Sequence, residues 1–81
     1  MNETTFETMT IEQVKAARAL LKWTAADLAN HASIGAATVR RYEAGNGVLQ
    51  KAQEAIFNTL ISAGVEFIAP NGGGAGVRLK D

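Results

Sequence analysis

The chain has 81 residues, eight Lys plus Arg against eight Asp plus Glu, one His and no Cys, with 47% of its residues apolar. That length suits one small core, and the missing Cys excludes a disulfide framework, a thiolate nucleophile and any Cys-ligated metal site. No apolar run approaches the roughly 20 residues that span a bilayer, and the formal charge of zero offers no electrostatic handle for nucleic acid. Met1 to Met9 is polar and acidic, unlike a signal peptide, so a cytoplasmic protein is expected. The same stretch lacks periodicity and reads as a flexible N-terminal arm over residues 1–9.

Thr10 opens the first helix, with Gln13 three residues later able to reach back in a capping box. Ile11, Val14, Ala17 and Leu21 then share one face, and the helix runs to about Lys22. Thr24 caps a second, short helix over about Ala25 to Ala32, where Asp27 sits favourably near the positive end. Leu28, Ala29 and Ala32 form its inward face, and Ser33-Ile34-Gly35 breaks it. A third helix over about Ala36 to Ala44 turns Val39 and Tyr42 inward and stops at Gly45, where a left-handed residue costs no Cβ clash.

A fourth helix is expected from about Val48 to Ala63, with Leu49, Ala52, Ile56, Phe57, Leu60 and Ile61 as a broad apolar stripe and Gly64 as its stop. Two β-prone runs, Val65 to Ala69 and Gly76 to Lys80, flank Pro70-Asn71-Gly72-Gly73-Gly74-Ala75 and read as a terminal hairpin. In the second run Val77 and Leu79 take one face and Arg78 and Lys80 the other. A lone hairpin is marginal in water, so this one packs on the helices or pairs with another chain. The glycine run is not a phosphate cradle, because a strand rather than a helix follows it.

The carboxylates Glu12, Asp27, Glu43, Glu54 and Glu66 fall on separate elements, none beside the His or a second acid. Neither an enzyme nor a cofactor or metal site is expected. Trp23 reads as a core cap at the end of the first helix, Tyr42 as packing with its hydroxyl at the rim, and His31 as a surface residue.

Two short helices joined by a tight turn, with Ala29 and Ala32 where they cross and Ile34 and Val39 filling the angle, form a helix-turn-helix pattern. Leu28-Ala29-x-x-Ala32-x-Ile34 through Thr38-Val39-Arg40-Arg41-Tyr42-Glu43-Ala44-Gly45 resembles the Xre/Cro-like helix-turn-helix family. Ala17-Arg18-Ala19-Leu20-Leu21-x-Trp23-Thr24 is similar to that family's first helix and entry turn. Gly64 to Ile68 with Asn71 to Gly74 and Gly76 to Leu79 is similar to a C-terminal extension of small proteobacterial members. The resemblance covers about residues 10 to 80. It implies a mainly α fold of four to five helices, a helix-turn-helix domain over 10–64 and a C-terminal β-hairpin extension over 65–81. It also implies an Arg18–Glu43 pair across the first and third helices, and a role in regulating gene expression.

The sequence departs from the family's DNA readers at the reading positions. Where they place Ser/Thr-Gln at the start of the second helix, this chain has Ala25; where their recognition helix begins Ser/Thr then Gln or Arg, it has Gly35, Ala36 and Ala37. Alanine offers a base only contact with a thymine methyl. Between Thr24 and Val39 the only formal charge is Asp27, opposite in sign to what phosphates require. Thr38, Arg40 and Arg41, with Lys22 and Lys51, are what remains.

The expected face is therefore Ala25, Ala36, Ala37, Thr38, Arg40 and Arg41, with Val48, Leu49 and Ile34 nearby, a neutral and Ala-rich surface that suits a protein better than a polyanion. Its leading partner is a transcription activator or other regulatory protein that the chain binds and blocks, as an antiactivator does. The alternative is operator DNA, read by a dimeric repressor through its third helix. An antitoxin-type partner would also be a protein contact.

Overall fold

The computed structural model describes residues 3–70 and 72–80. The first two residues of the N-terminal arm, Asn71 of the glycine-rich loop and the final Asp81 lie outside them.

Two threonines start the first two helices in the same way. Gln13 N donates to Thr10 Oγ1 at 3.1 Å while Thr10 N donates to Gln13 Oε1 at 2.9 Å, opening α1 over Ile11–Leu21. Asp27 N donates to Thr24 Oγ1 at 3.0 Å while Thr24 N donates to Asp27 Oδ2 at 2.9 Å, opening α2 over Ala25–Ala32. Each pair satisfies two backbone or side-chain groups that a helix start leaves open. Both helices end on a left-handed residue that is not glycine, Lys22 at φ 59° and Ser33 at φ 58°.

Helix α3 covers Ala36–Glu43 and follows Gly35, which has no side chain to cap it. Gly45 at φ 86° then turns the chain away. Helix α4 covers Gln50–Ser62, two residues later than the apolar pattern suggested. Val48 is half-buried against the core and Leu49 is extended at φ −63°, ψ 145°, so neither belongs to the helical stripe. That corrects the expected inward face. Leu49 is 78% exposed and Ile61 41% exposed, and only Ile56 and Leu60 are fully buried on α4.

Strands β1, Val65–Ile68, and β2, Gly76–Leu79, pair antiparallel with Val65 opposite Leu79 and Phe67 opposite Val77. Among the described residues the protein is thus a mainly helical domain of four helices and one two-stranded hairpin. The core gathers Val14 and Ala17 from α1, Leu28 and Ala29 from α2, Val39 and Tyr42 from α3, Ile56 and Leu60 from α4, and Val65 from β1.

The hairpin packs on the helices. Phe67 stacks on Phe57 of α4 with ring centroids 5.1 Å apart, and buried Gln13 on α1 donates from Nε2 to Ile68 O and Gly76 O. On the outer face Arg78 Nε donates to Glu66 Oε1 at 2.8 Å, and this partnership holds the Glu66 carboxyl below its usual range. Of the N-terminal segment, Met9 enters the core at 5% exposure. Residues 5–9 close a turn through Met9 N to Thr5 O at 2.8 Å, and Gln53 Nε2 donates to Phe6 O at 2.9 Å.

Candidate interaction face

Helix α3 is pinned by its inward residues, Val39 and Tyr42, and by an ion pair at its end. Arg18 of α1 donates from Nε to Glu43 Oε2 and from Nη2 to Glu43 Oε1, both at 2.8 Å, and from Nη1 to Trp23 O at 3.0 Å. The fork-to-fork geometry is the strong form of this pair. The hydrogen bond to Glu43, opposed by desolvation, raises the Arg18 pKa further above its already high value. Tyr42 donates from its hydroxyl to Met9 O at 3.4 Å, so the hydroxyl lies inside rather than at the rim. Burial, and then the fields of Glu12 and Glu43, push its pKa up.

With Glu43 engaged by Arg18, the outward side of α3 carries Ala37, Arg40 and Arg41, all exposed. Thr38 is half-buried, and Arg41 Nη2 reaches Gly47 O at 3.3 Å. Ala25 and Ala36 are half-buried and pack against the core. Their small size therefore serves the helix contacts as well as the face. The structure brings Thr38 and Arg41 together around a hollow of about 360 Å³ that is also lined by Ile34, Gly47, Val48, Leu49 and Ala52. Ala25, Ala36, Ala37 and Arg40 lie outside its lining.

Leu49, expected near the face with Val48 and Ile34 but as part of the apolar stripe of α4, is instead 78% exposed. It borders this hollow and a second one of about 340 Å³, which takes in Ala32, Ser33, Lys51 and Ala55. A signal for it existed: Leu49 follows Gly47-Val48 and precedes Gln50 with no hydroxyl N-cap, so the helix start was free to shift past it. His31, exposed as expected, lies against Trp23 with ring centroids 4.2 Å apart and planes 7° from parallel. Trp23 thus caps the end of α1 by covering α2 as well.

Among the described residues no group of three or more His, Cys, Asp or Glu is placed to hold a metal ion, and no helix is long and apolar enough to cross a membrane. No family model, curated protein or solved structure matches the chain.

Proposed function

We propose that the chain is a small cytoplasmic transcriptional regulator of the Xre/Cro-like helix-turn-helix kind that acts by protein contact, binding and blocking a transcription activator. One observation carries this reading. The start of α3 presents Gly35, Ala36 and Ala37, without a hydrogen-bonding side chain, and the adjoining Ile34 and Thr38 share a hollow with half-buried Val48 and exposed Leu49. Base reading needs donors and acceptors in the groove. A small, apolar and neutral surface suits the desolvated centre of a protein interface. The face is a binding surface and not a catalytic one.

The alternative, an operator-binding repressor, is favoured by the two exposed arginines, Arg40 and Arg41, in the last turn of α3. A mobility titration with the chain's own promoter region and a random duplex at moderate salt separates the two. The protein-contact reading expects no sequence-specific shift, together with recovery of a transcription activator by pull-down from the native host. Specific, salt-sensitive binding at sub-micromolar concentration overturns it, as does a pull-down that yields no regulator.

A further inference from the structure

We propose that Leu49 and the two hollows beside it seat an acidic amphipathic helix of a protein partner. The inference rests on the protein-contact reading above and specifies where that contact is made and with what chemistry. Leu49 stands 78% exposed just before α4, and both hollows share Ile34, Leu49 and Ala52 in their walls. A leucine so exposed gains nothing by facing water, and burying it in an interface is favourable.

The geometry fits an occupant with apolar groups on both sides of one projecting side chain. An amphipathic helix offers that at i, i+3 or i+4, and i+7, the spacing by which helices dock into apolar grooves. The charge around the hollows fixes the sign of the occupant's flanks. Arg41 lines the first hollow and Lys51 the second, Arg40 is exposed on the same helix as Arg41, and no Asp or Glu among the described residues lines either hollow. Glu43 is taken up by Arg18. Carboxylates at the rim of the docked helix therefore meet unopposed cations. Duplex DNA would meet the same cations, but its phosphates would confront Leu49, which leaves the leucine unburied and the anions partly desolvated.

The test is an NMR titration of the ¹⁵N-labelled full chain with three probes. One is a synthetic helical peptide of about 15 residues, long enough for marginal helicity, with Leu at i, i+4 and i+7 and Glu on its flanks. The second carries Lys in place of each Glu, and the third is a random-sequence DNA duplex.

The expected result is shifts of the Ile34, Thr38, Leu49 and Ala52 amides with the acidic peptide. Binding weakens about tenfold or more for the Lys peptide, for Leu49→Asp and for Arg41→Glu with Lys51→Glu. Leu49 is exposed, so Leu49→Asp keeps the fold, and the charge-reversal variant is a second check. Equal binding of both peptides, or shifts confined to Ala36 and Ala37, overturns the docking site while the protein-contact reading stands. No response to any probe also overturns the docking site, the pull-down then deciding the wider reading. Saturable binding of the duplex alone overturns the docking site, and the promoter titration then decides the wider reading.

Discussion

Gln13 Nε2 donates to Gly76 O at 2.9 Å, so the residue that closes the cap of α1 also holds the terminal hairpin. Its second amide proton goes to Ile68 O at 3.2 Å and its Oε1 accepts from Thr10 N, at 2% exposure of the residue. Gln13→Ala removes all three bonds and leaves buried partners without them, a loss of about 1–3 kcal/mol in denaturant unfolding. Gln13→Glu keeps the shape but turns a second oxygen toward two carbonyls. The charged form is then disfavoured in the fold, so the new carboxyl's pKa rises there. Stability is present below the unfolded carboxyl's pKa and is lost as pH rises through the folded one. A Gln13→Glu variant no less stable at neutral than at acid pH, relative to the parent, would refute the two-carbonyl contact.

Arg18 and Glu43 make a second long-range tie, and their side chains are only 21% and 10% exposed. Arg18→Lys is not conservative, because an ammonium cannot make the paired bonds and also reach Trp23 O. We expect Arg18→Lys and Glu43→Gln each to destabilise by about 1–3 kcal/mol. The double variant should lose less than the sum of the two, since each single change leaves a partly buried group without its partner. Strict additivity would show that the two residues do not act on each other.

The parts of the fold that were legible in the sequence are those that local chemistry fixes. Thr10 with Gln13, Thr24 with Asp27, and Gly45 and Gly64 are decided within a few residues of themselves. The parts that were not legible depend on distant neighbours. Nothing around Gln13 indicates that its amide also meets strands more than fifty residues on, and nothing around Met9 indicates a place in the core. Val48 and Leu49 continue the apolar spacing of α4, so periodicity alone draws them into the helix. Ala25 and Ala36 show the same limit at the candidate face, since a small apolar residue suits a partner surface and a close helix crossing equally. Arg40, Arg41 and Ala37 could be placed outward because Val39 and Tyr42 fix the phase of α3.

Tyr42 gives a pH prediction. Burial is the first cause of its raised pKa, with Glu12 and Glu43 adding to it. The folded protein therefore keeps the phenol protonated at a pH where the unfolded chain has begun to ionise. The stabilisation is fully present below the ordinary tyrosine value of about 10 and is lost as pH rises through the higher folded value. Thermal melts should decline above about pH 10, and Tyr42→Phe should remove that part of the decline. Parallel profiles for the parent and the variant across that range would assign the loss to other groups.

Ser33 closes α2 in a left-handed conformation at φ 58°, which L residues other than Asn and Asp avoid. Ser33→Gly removes the Cβ clash, worth about 1–2 kcal/mol, against an entropy penalty for glycine of about 0.5–1 kcal/mol. The net expectation is a gain of about 0.5–1 kcal/mol, or a rise in Tm of a few degrees for a domain of this size. Lys22→Gly, at the matching position after α1, should gain a similar amount. A fall in Tm for both variants would mean that the caps are unstrained.

Ala37 is the cleanest place to test what the face of α3 recognises, because it is exposed while Ala36 packs against the core. Ala37→Arg adds a cation one helical turn before Arg40 and Arg41 at little cost to stability, since surface changes of this kind stay within about 0.5 kcal/mol. A contact made across the start of α3 would place the bulky side chain in the interface and lower affinity for the recovered activator about tenfold or more. Affinity for the acidic helical peptide, seated in a hollow whose lining does not include Ala37, should instead stay level or rise. The same change should increase non-specific duplex binding and steepen its salt dependence by about one unit, as each added phosphate contact does. Undiminished activator binding in Ala37→Arg would place the protein contact off the start of α3. A duplex affinity that is already specific in the parent and rises further would instead assign the face to DNA.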